Sequence, residues 1–335
     1  MPQTRRTFLQ AAALAVGAAG VPLGATPQHV PRPASPGGPP AATGPQPVTA
    51  APPAPPLAPS SDLQVPTMPF GGVSISRLIV GCNPFYGFSH FNDTLSQVMR
   101  EYYTAERVCD VLHQCARFGI NAYNYVDVGR AGQDLDRFQA EGGRMHLIVQ
   151  GVGDPTAFIA ARKPLAIYHH GGRTDRAYLD GKIETVREWC KRVRDLGCLV
   201  GVGSHRPEVL ELVEAQGWDV DFHAGCAYNL TRTEAEWRKA LGGELPEMAS
   251  ETFLQSDPAR MLAFIRQTKK PCFTYKIMAA GRISARQADE AFLRAYANIK
   301  PADGVFVGMF PRVKDEVREN AERVCRILVP KVAPG

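Results

Sequence analysis

Histidines collect where the predicted strands end. His169 and His170 close one apolar run, His205 follows the next, and His223 lies within the run after that. Imidazole changes its protonation state near neutral pH, so several imidazoles around one site would suit general acid–base catalysis. A single histidine in an apolar run is more often a core residue, but four at neighbouring strand ends favour a functional cluster. Because side chains alternate along a strand, one of His169 and His170 should face the site, and we expect His169 to do so.

Other polar side chains at the predicted strand ends could bind or position a substrate. Lys276, at the end of the seventh run, could act as a base or a Schiff-base nucleophile, or its ammonium group could extend into solvent. Arg173 could pair with an anionic or hydroxylated substrate and Asp175 could orient a histidine, or the two could form a local salt bridge. The catalytic candidates are therefore His169, His170, His205, Lys276 and Asn124. The candidates for binding a substrate are Asn83, Tyr86, His90, Arg173, Asp175, His223 and Asn229.

The same groups could instead hold a divalent metal. Three histidines with Asp127 or Asp175, contributed by different strand ends, would form a common type of barrel metal site. However, the first run is not followed by a His-x-His pair, and no glutamate stands at a strand end. A metal therefore stays an alternative, and we assign no metal ligand.

The elements that must position these groups follow from a repeating pattern after residue 66. Short β-branched runs alternate with segments of helical period, and the runs lie at 76–81, 121–126, 146–152, 164–170, 199–204, 220–228, 272–278 and 304–309. Eight strand–helix units in about 250 residues predict an α/β fold of the (β/α)₈ TIM-barrel type, with its chemistry at the carboxyl ends of the strands. An open, doubly wound sheet is the alternative, but the turn after the first run lacks the glycine pattern of a dinucleotide site.

Three further segments have a predicted place around the barrel. Residues 68–76 predict a small hairpin that closes the end opposite to the catalytic face. The long segments 86–103 and 229–257 follow the first and sixth runs, so they should cover the catalytic face.

Composition limits the kinds of partner that the chain can have. Hydrophobic residues make up 44% of the chain and charged residues 21%, as in ordinary soluble globular proteins. The net charge of +5 is spread along the chain without a Lys/Arg run, so we expect a small-molecule substrate and no nucleic acid. None of the eight cysteines forms a Cys-x-x-Cys pair, and most stand in apolar stretches, which favours buried free thiols.

The N-terminal residues predict export. Residues 4–9 read TRRTFL, the pattern of a twin-arginine signal, and a weakly apolar stretch follows to about residue 25. We therefore predict a signal peptide at 1–25, a disordered Pro/Ala-rich linker at 26–66 and the barrel domain at 67–330. The expected partner during export is the twin-arginine translocase, and the expected location is the periplasm or cell envelope. The apolar stretch is too short for a membrane span, so we expect none in the mature chain.

Six segments in the order of the barrel are similar to one known enzyme family. They are GGVSISRLIVG (71–81), residues 104–121, IYHH (167–170), GVGSH (201–205), YKIMAAGRI (275–283) and GMFPRVKDEVREN (308–320). On these segments the chain resembles the aldo/keto reductases. The resemblance implies a TIM barrel that binds NADP or NAD through Gly308, Arg312, Lys314, Glu319 and Asn320. The charged members of that set could equally be solvated residues of the last helix.

The chain departs from this family at the proton relay. Asn124 stands where the family has an aspartate, Gly129 where it has the proton-donating tyrosine, and Gln150 where it has a lysine; only His169 has a counterpart. Ordinary ketone reduction is not expected without a phenol made acidic by a neighbouring lysine. We expect an exported oxidoreductase relative that acts on a sugar-like carbonyl or polyol. The alternatives are a cofactor-free or metal-dependent lyase, isomerase or hydrolase of carbohydrates that uses the histidine cluster, and a non-catalytic binding module.

Overall fold

A computed structural model describes residues 58–151, 153–245 and 251–329. The predicted signal peptide, most of the predicted linker and the C-terminal six residues lie outside these ranges. Residues 58–66, which the sequence places at the end of the linker, pack on the barrel. Leu63 and Val65 are buried there, and the Val65 amide donates to the Phe118 carbonyl over 2.9 Å.

Eight parallel strands close into a barrel, which confirms the predicted (β/α)₈ fold. In chain order after an N-terminal hairpin they are β3 (Leu78–Gly81), β4 (Ala122–Tyr125), β5 (His146–Gln150), β6 (Ala166–His169), β7 (Leu199–Ser204), β8 (Phe222–Cys226), β9 (Cys272–Tyr275) and β10 (Gly304–Gly308). Each strand pairs with its sequence neighbour, and β10 pairs with β3 in the register Val305–Leu78. The carboxyl ends of all eight strands therefore meet at one face.

The predicted hairpin is also confirmed and closes the opposite face. Strands β1 (Thr67–Phe70) and β2 (Val73–Ser76) pair antiparallel across Gly71 and Gly72, which have φ values of +58° and +81°. The Phe70 ring meets Phe222 and Phe273 edge-on, with centroids 5.4 and 5.1 Å away. The hairpin thus fills the amino-terminal end of the barrel with apolar side chains, and access remains at the other end.

Helices surround the barrel as the periodicity predicts, and three further helices lie in segments predicted as loops or a turn. The helices are α1 (Asp93–Tyr102), α2 (Ala105–Arg117), α3 (Ala131–Ala140), α4 (Pro155–Arg162), α5 (Gly171–Leu179), α6 (Glu184–Asp195), α7 (Pro207–Ala215), α8 (Glu234–Leu241), α9 (Asp257–Gln267), α10 (Ala285–Ala297) and α11 (Glu316–Leu328). Thr104 caps α2 by accepting from the Arg107 amide, as its sequence position predicts. Within the described ranges, no helix combines the length and apolar character that a membrane crossing requires.

Helix α5 differs from the sequence prediction. The glycine pair after His170 predicts a sharp turn, but Gly171 instead begins a helix of nine residues. The Arg173 and Thr174 amides donate to the His170 carbonyl over 2.9 Å and form the first turn. Because glycine is a poor helix former, the helical signal there is weak, and packing against the barrel decides the conformation.

All eight cysteines are unpaired, and seven of them are buried. Burial raises the pKa of several of these thiols, including that of Cys82 to about 12. They are therefore apolar packing groups rather than reactive thiolates.

Candidate active site

A cavity of about 1280 Å³ opens at the carboxyl ends of the barrel strands. Its volume exceeds what a single sugar requires. Ten of the candidate residues discussed above line it: Asn83, His90, Asn124, Asp127, His170, Arg173, His205, Lys276, Gly308 and Lys314. The chain therefore brings groups from most strand ends to one site, as a barrel of this type does.

A close contact in the cavity wall joins Asp175 and His205. Nδ1 of His205 lies 2.7 Å from an Asp175 carboxylate oxygen, and Asp175 has no exposed surface. Because a carboxylate accepts hydrogen bonds, this contact places a proton on Nδ1 and leaves Nε2 available to a ligand. His205 lines the cavity, and no described residue bonds to its Nε2. The imidazole is thus positioned to exchange a proton with a ligand.

Three further donors orient the Asp175 carboxylate. The Ser204 hydroxyl bonds to one oxygen, while the His205 amide and the Thr231 hydroxyl each lie 3.0 Å from the other. These donors fix the orientation of the carboxylate towards the imidazole. Asp175 does not line the cavity as a substrate-binding group; it orients a histidine, which is the other role that the sequence suggested for it.

His169 and His170 face opposite sides of the barrel wall. His170 lines the cavity, whereas His169 packs edge-on against Trp189 of α6 with ring centroids 5.1 Å apart. Nδ1 of His169 bonds to the Thr174 hydroxyl over 2.8 Å. The expectation that His169 faces the site is reversed, because the alternation of β6 points Tyr168 and His170 towards the cavity.

Burial keeps both of these imidazoles neutral at physiological pH. Burial, followed by electrostatic repulsion from His205 and Arg173, lowers the pKa of His170 to about 4. Burial lowers the pKa of His169 to about 4 as well. His170 can therefore donate or accept one hydrogen bond in the cavity without carrying a charge. No described residue bonds to its Nδ1.

Lys276 belongs to a bridge across the cavity mouth. Its ammonium lies 2.7 Å from Glu251, whose other oxygen lies 2.9 Å from Nδ1 of His90. Burial opposes ionisation of Glu251, but the His90 hydrogen bond and the Lys276 charge lower its pKa to about 2. Lys276 and His90 have left-handed φ values of +59° and +54°. Such strain costs about 1 kcal/mol per residue and is often found at functional sites.

The cavity floor is polar. The Tyr168 hydroxyl lies 3.1 Å from Oδ1 of Asn124 and 3.2 Å from Oε1 of Gln150. Nε2 of Gln150 has only a long contact of 3.9 Å with the Cys82 sulfur. Burial raises the pKa of Tyr168 well above its ordinary value, so the phenol stays protonated.

Several predicted site residues lie elsewhere. His223 is fully buried behind the barrel, where Nε2 bonds to Glu214 over 2.6 Å. Asn229 stabilises its own loop by accepting from the Thr231 amide over 3.2 Å. The others that do not line the cavity are Tyr86, Arg312, Glu319 and Asn320. Only Gly308 and Lys314 of the predicted nucleotide-binding set reach the cavity, and Lys314 pairs with Glu319.

The structure also adds residues that sequence reasoning missed. Tyr275 lines the cavity with its ring centroid 5.7 Å from that of His205, and Glu251 and Tyr168 complete the mouth and floor. Strand alternation from His170 could have identified Tyr168, two residues before it, whereas alternation from Lys276 would have placed Tyr275 on the opposite face. Nothing in the sequence around Glu251 identifies it, because it lies in a long loop. In the part of the chain that the structure describes, no group of three His, Cys, Asp or Glu side chains is arranged to hold a metal.

The sequence matches no protein-family model and no curated protein. Three solved structures have similar backbones at low identity. A truncated 3-deoxy-D-arabino-heptulosonate 7-phosphate synthase from Thermotoga maritima is 13% identical with a TM-score of 0.46, over 79% of this chain and 91% of the other. Nitroalkane oxidase from Streptomyces ansochromogenes is 15% identical with a TM-score of 0.35, over 61% of each chain. The native KDPGal structure is 14% identical with a TM-score of 0.33, over 75% of this chain and 90% of the other.

These comparisons correct the family prediction. None of the three solved structures is an aldo/keto reductase, so the predicted membership of that family is wrong. The segments that carried the resemblance contain features that any parallel barrel needs, such as capped helices and glycines at strand ends, so they indicated the fold rather than the family. Each similarity is one of backbone alone, and a nicotinamide cofactor stays a prediction.

Proposed function

We propose that this protein is a lyase that cleaves a small hydroxylated carbonyl compound by general acid–base catalysis. The observation that carries the proposal is the Asp175–His205 pair, in which a buried carboxylate holds an imidazole against the cavity. A carboxylate-oriented histidine is a common general base, because the carboxylate fixes the tautomer and stabilises the protonated ring.

In the proposed reaction, Nε2 of His205 accepts the proton of a substrate hydroxyl. The hydroxyl oxygen becomes a carbonyl as the neighbouring carbon–carbon bond breaks, and the electron pair of that bond forms the enolate of the second fragment. The protonated His205 then returns its proton to the enolate carbon. No redox partner is needed, because the atoms and electrons balance within the substrate.

Two cationic side chains at the cavity support an anionic substrate. Arg173 lines the cavity, and no described carboxylate pairs with it. A guanidinium in this position suits a carboxylate or phosphate group. Lys276 is paired with Glu251 at 2.7 Å, so we assign it charge stabilisation rather than Schiff-base chemistry, which requires a neutral amine.

The test is solvent exchange catalysed by the full chain. Pyruvate, dihydroxyacetone and dihydroxyacetone phosphate are incubated with the protein in D₂O, and proton NMR follows loss of the hydrogens beside the carbonyl. We expect protein-dependent exchange with at least one probe, faster for an anionic one. His205→Gln should reduce exchange to background, and Asp175→Asn should reduce it by about 10³–10⁴-fold because the tautomer is no longer fixed.

His146→Gln is the matched control, because His146 begins β5 at the other end of the barrel and does not line the cavity. It should exchange at the wild-type rate. Absence of exchange with every probe, or full activity in His205→Gln, would overturn the proposal. Saturable probe binding without exchange would instead support the non-catalytic binding module.

A further inference from the structure

We infer that Asn124, Tyr168 and Gln150 form an oxygen-binding site for the reacting carbonyl of the substrate. This floor cluster lies at the ends of three adjacent strands, β4, β6 and β5, within the same cavity as His205. The inference rests on the proposed function and deepens it, since it states which group of the substrate must be bound and by which side chains.

The first argument is the direction of the two amides. Both Asn124 and Gln150 present their oxygens to the single hydroxyl of Tyr168, at 3.1 and 3.2 Å. Because the oxygen and nitrogen of an amide diverge from its carbon, an amide whose oxygen meets the phenol directs its NH₂ group elsewhere. The phenol is held by packing as well, because its ring stacks on Phe306 with centroids 6.1 Å apart.

The second argument is an excess of donors. Asn124 is only 8% exposed, yet no residue that the structure describes accepts a hydrogen bond from its NH₂ group. Nε2 of Gln150 has only the weak Cys82 sulfur acceptor, 3.9 Å away. Both amides line the cavity, and their NH₂ groups are not enclosed away from solvent. Each donor can therefore exchange a water molecule for an acceptor that arrives with the ligand.

The chemistry of the cluster selects the ligand atom. Neutral NH₂ donors beside a phenol that stays protonated suit a carbonyl oxygen, and they bond more strongly to the negative oxygen that develops as an enolate forms. A free ammonium or other cationic group is disfavoured, because the floor offers it few acceptors. The floor therefore complements His205: the imidazole moves the proton while the floor stabilises the oxygen that receives the charge.

The experiment compares Asn124→Asp with the wild type in the D₂O exchange assay and in calorimetric titration with oxalate, a planar dianion that resembles the enolate of pyruvate. Aspartate keeps the size of the side chain and can still accept from Tyr168, but it replaces the NH₂ donors with a charged oxygen. We expect about a 10²–10³-fold loss in the exchange rate and at least about a tenfold loss in oxalate affinity. Asn298→Asp introduces the same charge at the end of α10, away from the cavity, and should leave both values unchanged.

The outcomes separate this inference from the proposed function. If His205→Gln abolishes exchange while Asn124→Asp exchanges and binds oxalate like the wild type, the floor inference is overturned and the proposed function stands. If the wild type exchanges no probe, the proposed function fails. The calorimetry then decides the floor inference alone: weaker oxalate binding in Asn124→Asp supports it, and equal binding or no binding to the wild type overturns it.

Discussion

Neighbouring residues of the same type have different properties here because their surroundings differ. His205 is oriented by a buried carboxylate, His170 lines the cavity as a neutral ring, and His169 packs on Trp189 outside it. His223 is a fully buried partner of Glu214. Residue type alone therefore identified a histidine-rich region, but the local environment decides which imidazole can do chemistry.

The neutral His170 predicts a pH-dependent stability. Its pKa is lowered from 6.5 to about 4, so the unfolded chain takes up a proton below pH 6.5 that the folded chain does not take up until about pH 4. The neutral ring therefore costs the folded state nothing above pH 6.5. As the pH falls from 6.5 to 4, protonation of the unfolded chain lowers the free energy of unfolding. Between pH 7 and pH 4, the unfolding free energy of His170→Gln should fall less than that of the wild type, by on the order of 2 kcal/mol. Urea unfolding at the two pH values measures both changes. An unchanged pH dependence in the variant would contradict the assigned burial.

Among the elements, the start of α5 has the tightest steric requirement near the site. A β-carbon on Gly171 would lie 2.6 Å from the Tyr275 hydroxyl and 3.2 Å from Cε1 of His205. The same atom on Gly172 would come no closer than 3.4 Å, to Cε1 of His170. Gly171 therefore allows the helix to approach the two rings, whereas Gly172 has room for a methyl group.

Alanine substitutions test this difference between adjacent glycines. Gly171→Ala should displace Tyr275 and His205 and lower the D₂O exchange rate by roughly 10²-fold, the usual effect of a misplaced catalytic group. Gly172→Ala should retain activity and gain up to about 1 kcal/mol of stability, because alanine is the better helix former. Exchange rates and denaturant midpoints measure the two effects. Equal activity of the two variants would contradict the close approach at Gly171.

At the scale of the whole molecule, stability and chemistry lie at opposite ends of the barrel. The hairpin of β1 and β2 buries Met68, Phe70 and Ile75 at the amino-terminal end, whereas the polar groups line the cavity at the other. This separation is general in (β/α)₈ barrels, since the loops after the strands can vary without disturbing the packed interior.

The separation makes Phe70→Ala a test of the whole molecule. Removing this ring, which is 4% exposed and packed between Phe222 and Phe273, should lower the unfolding free energy by about 3–5 kcal/mol. Chemical denaturation measures that loss. Under conditions in which the variant remains folded, its exchange rate should equal that of the wild type, and a reduced rate would show that the two ends are coupled.

The sequence by itself determined the barrel, the hairpin and most of the strand ends. Hydrophobic period and cap residues are local signals, and eight alternating units leave few other ways to bury their apolar faces. The same local signals misled the family prediction, because they report on elements common to all such barrels. They also missed three helices: α1 and α8 in the predicted long loops, and α5, where two glycines hide the helical period.

Only the tertiary structure decided which side chains form the site. The Asp175–His205 contact, the bridge from His90 through Glu251 to Lys276, and the Tyr168 contacts with two amides join residues of different strands and loops. Such contacts depend on barrel closure and on which way each strand end faces. One position along a strand reverses that direction, which is why His170 and not His169 lines the cavity.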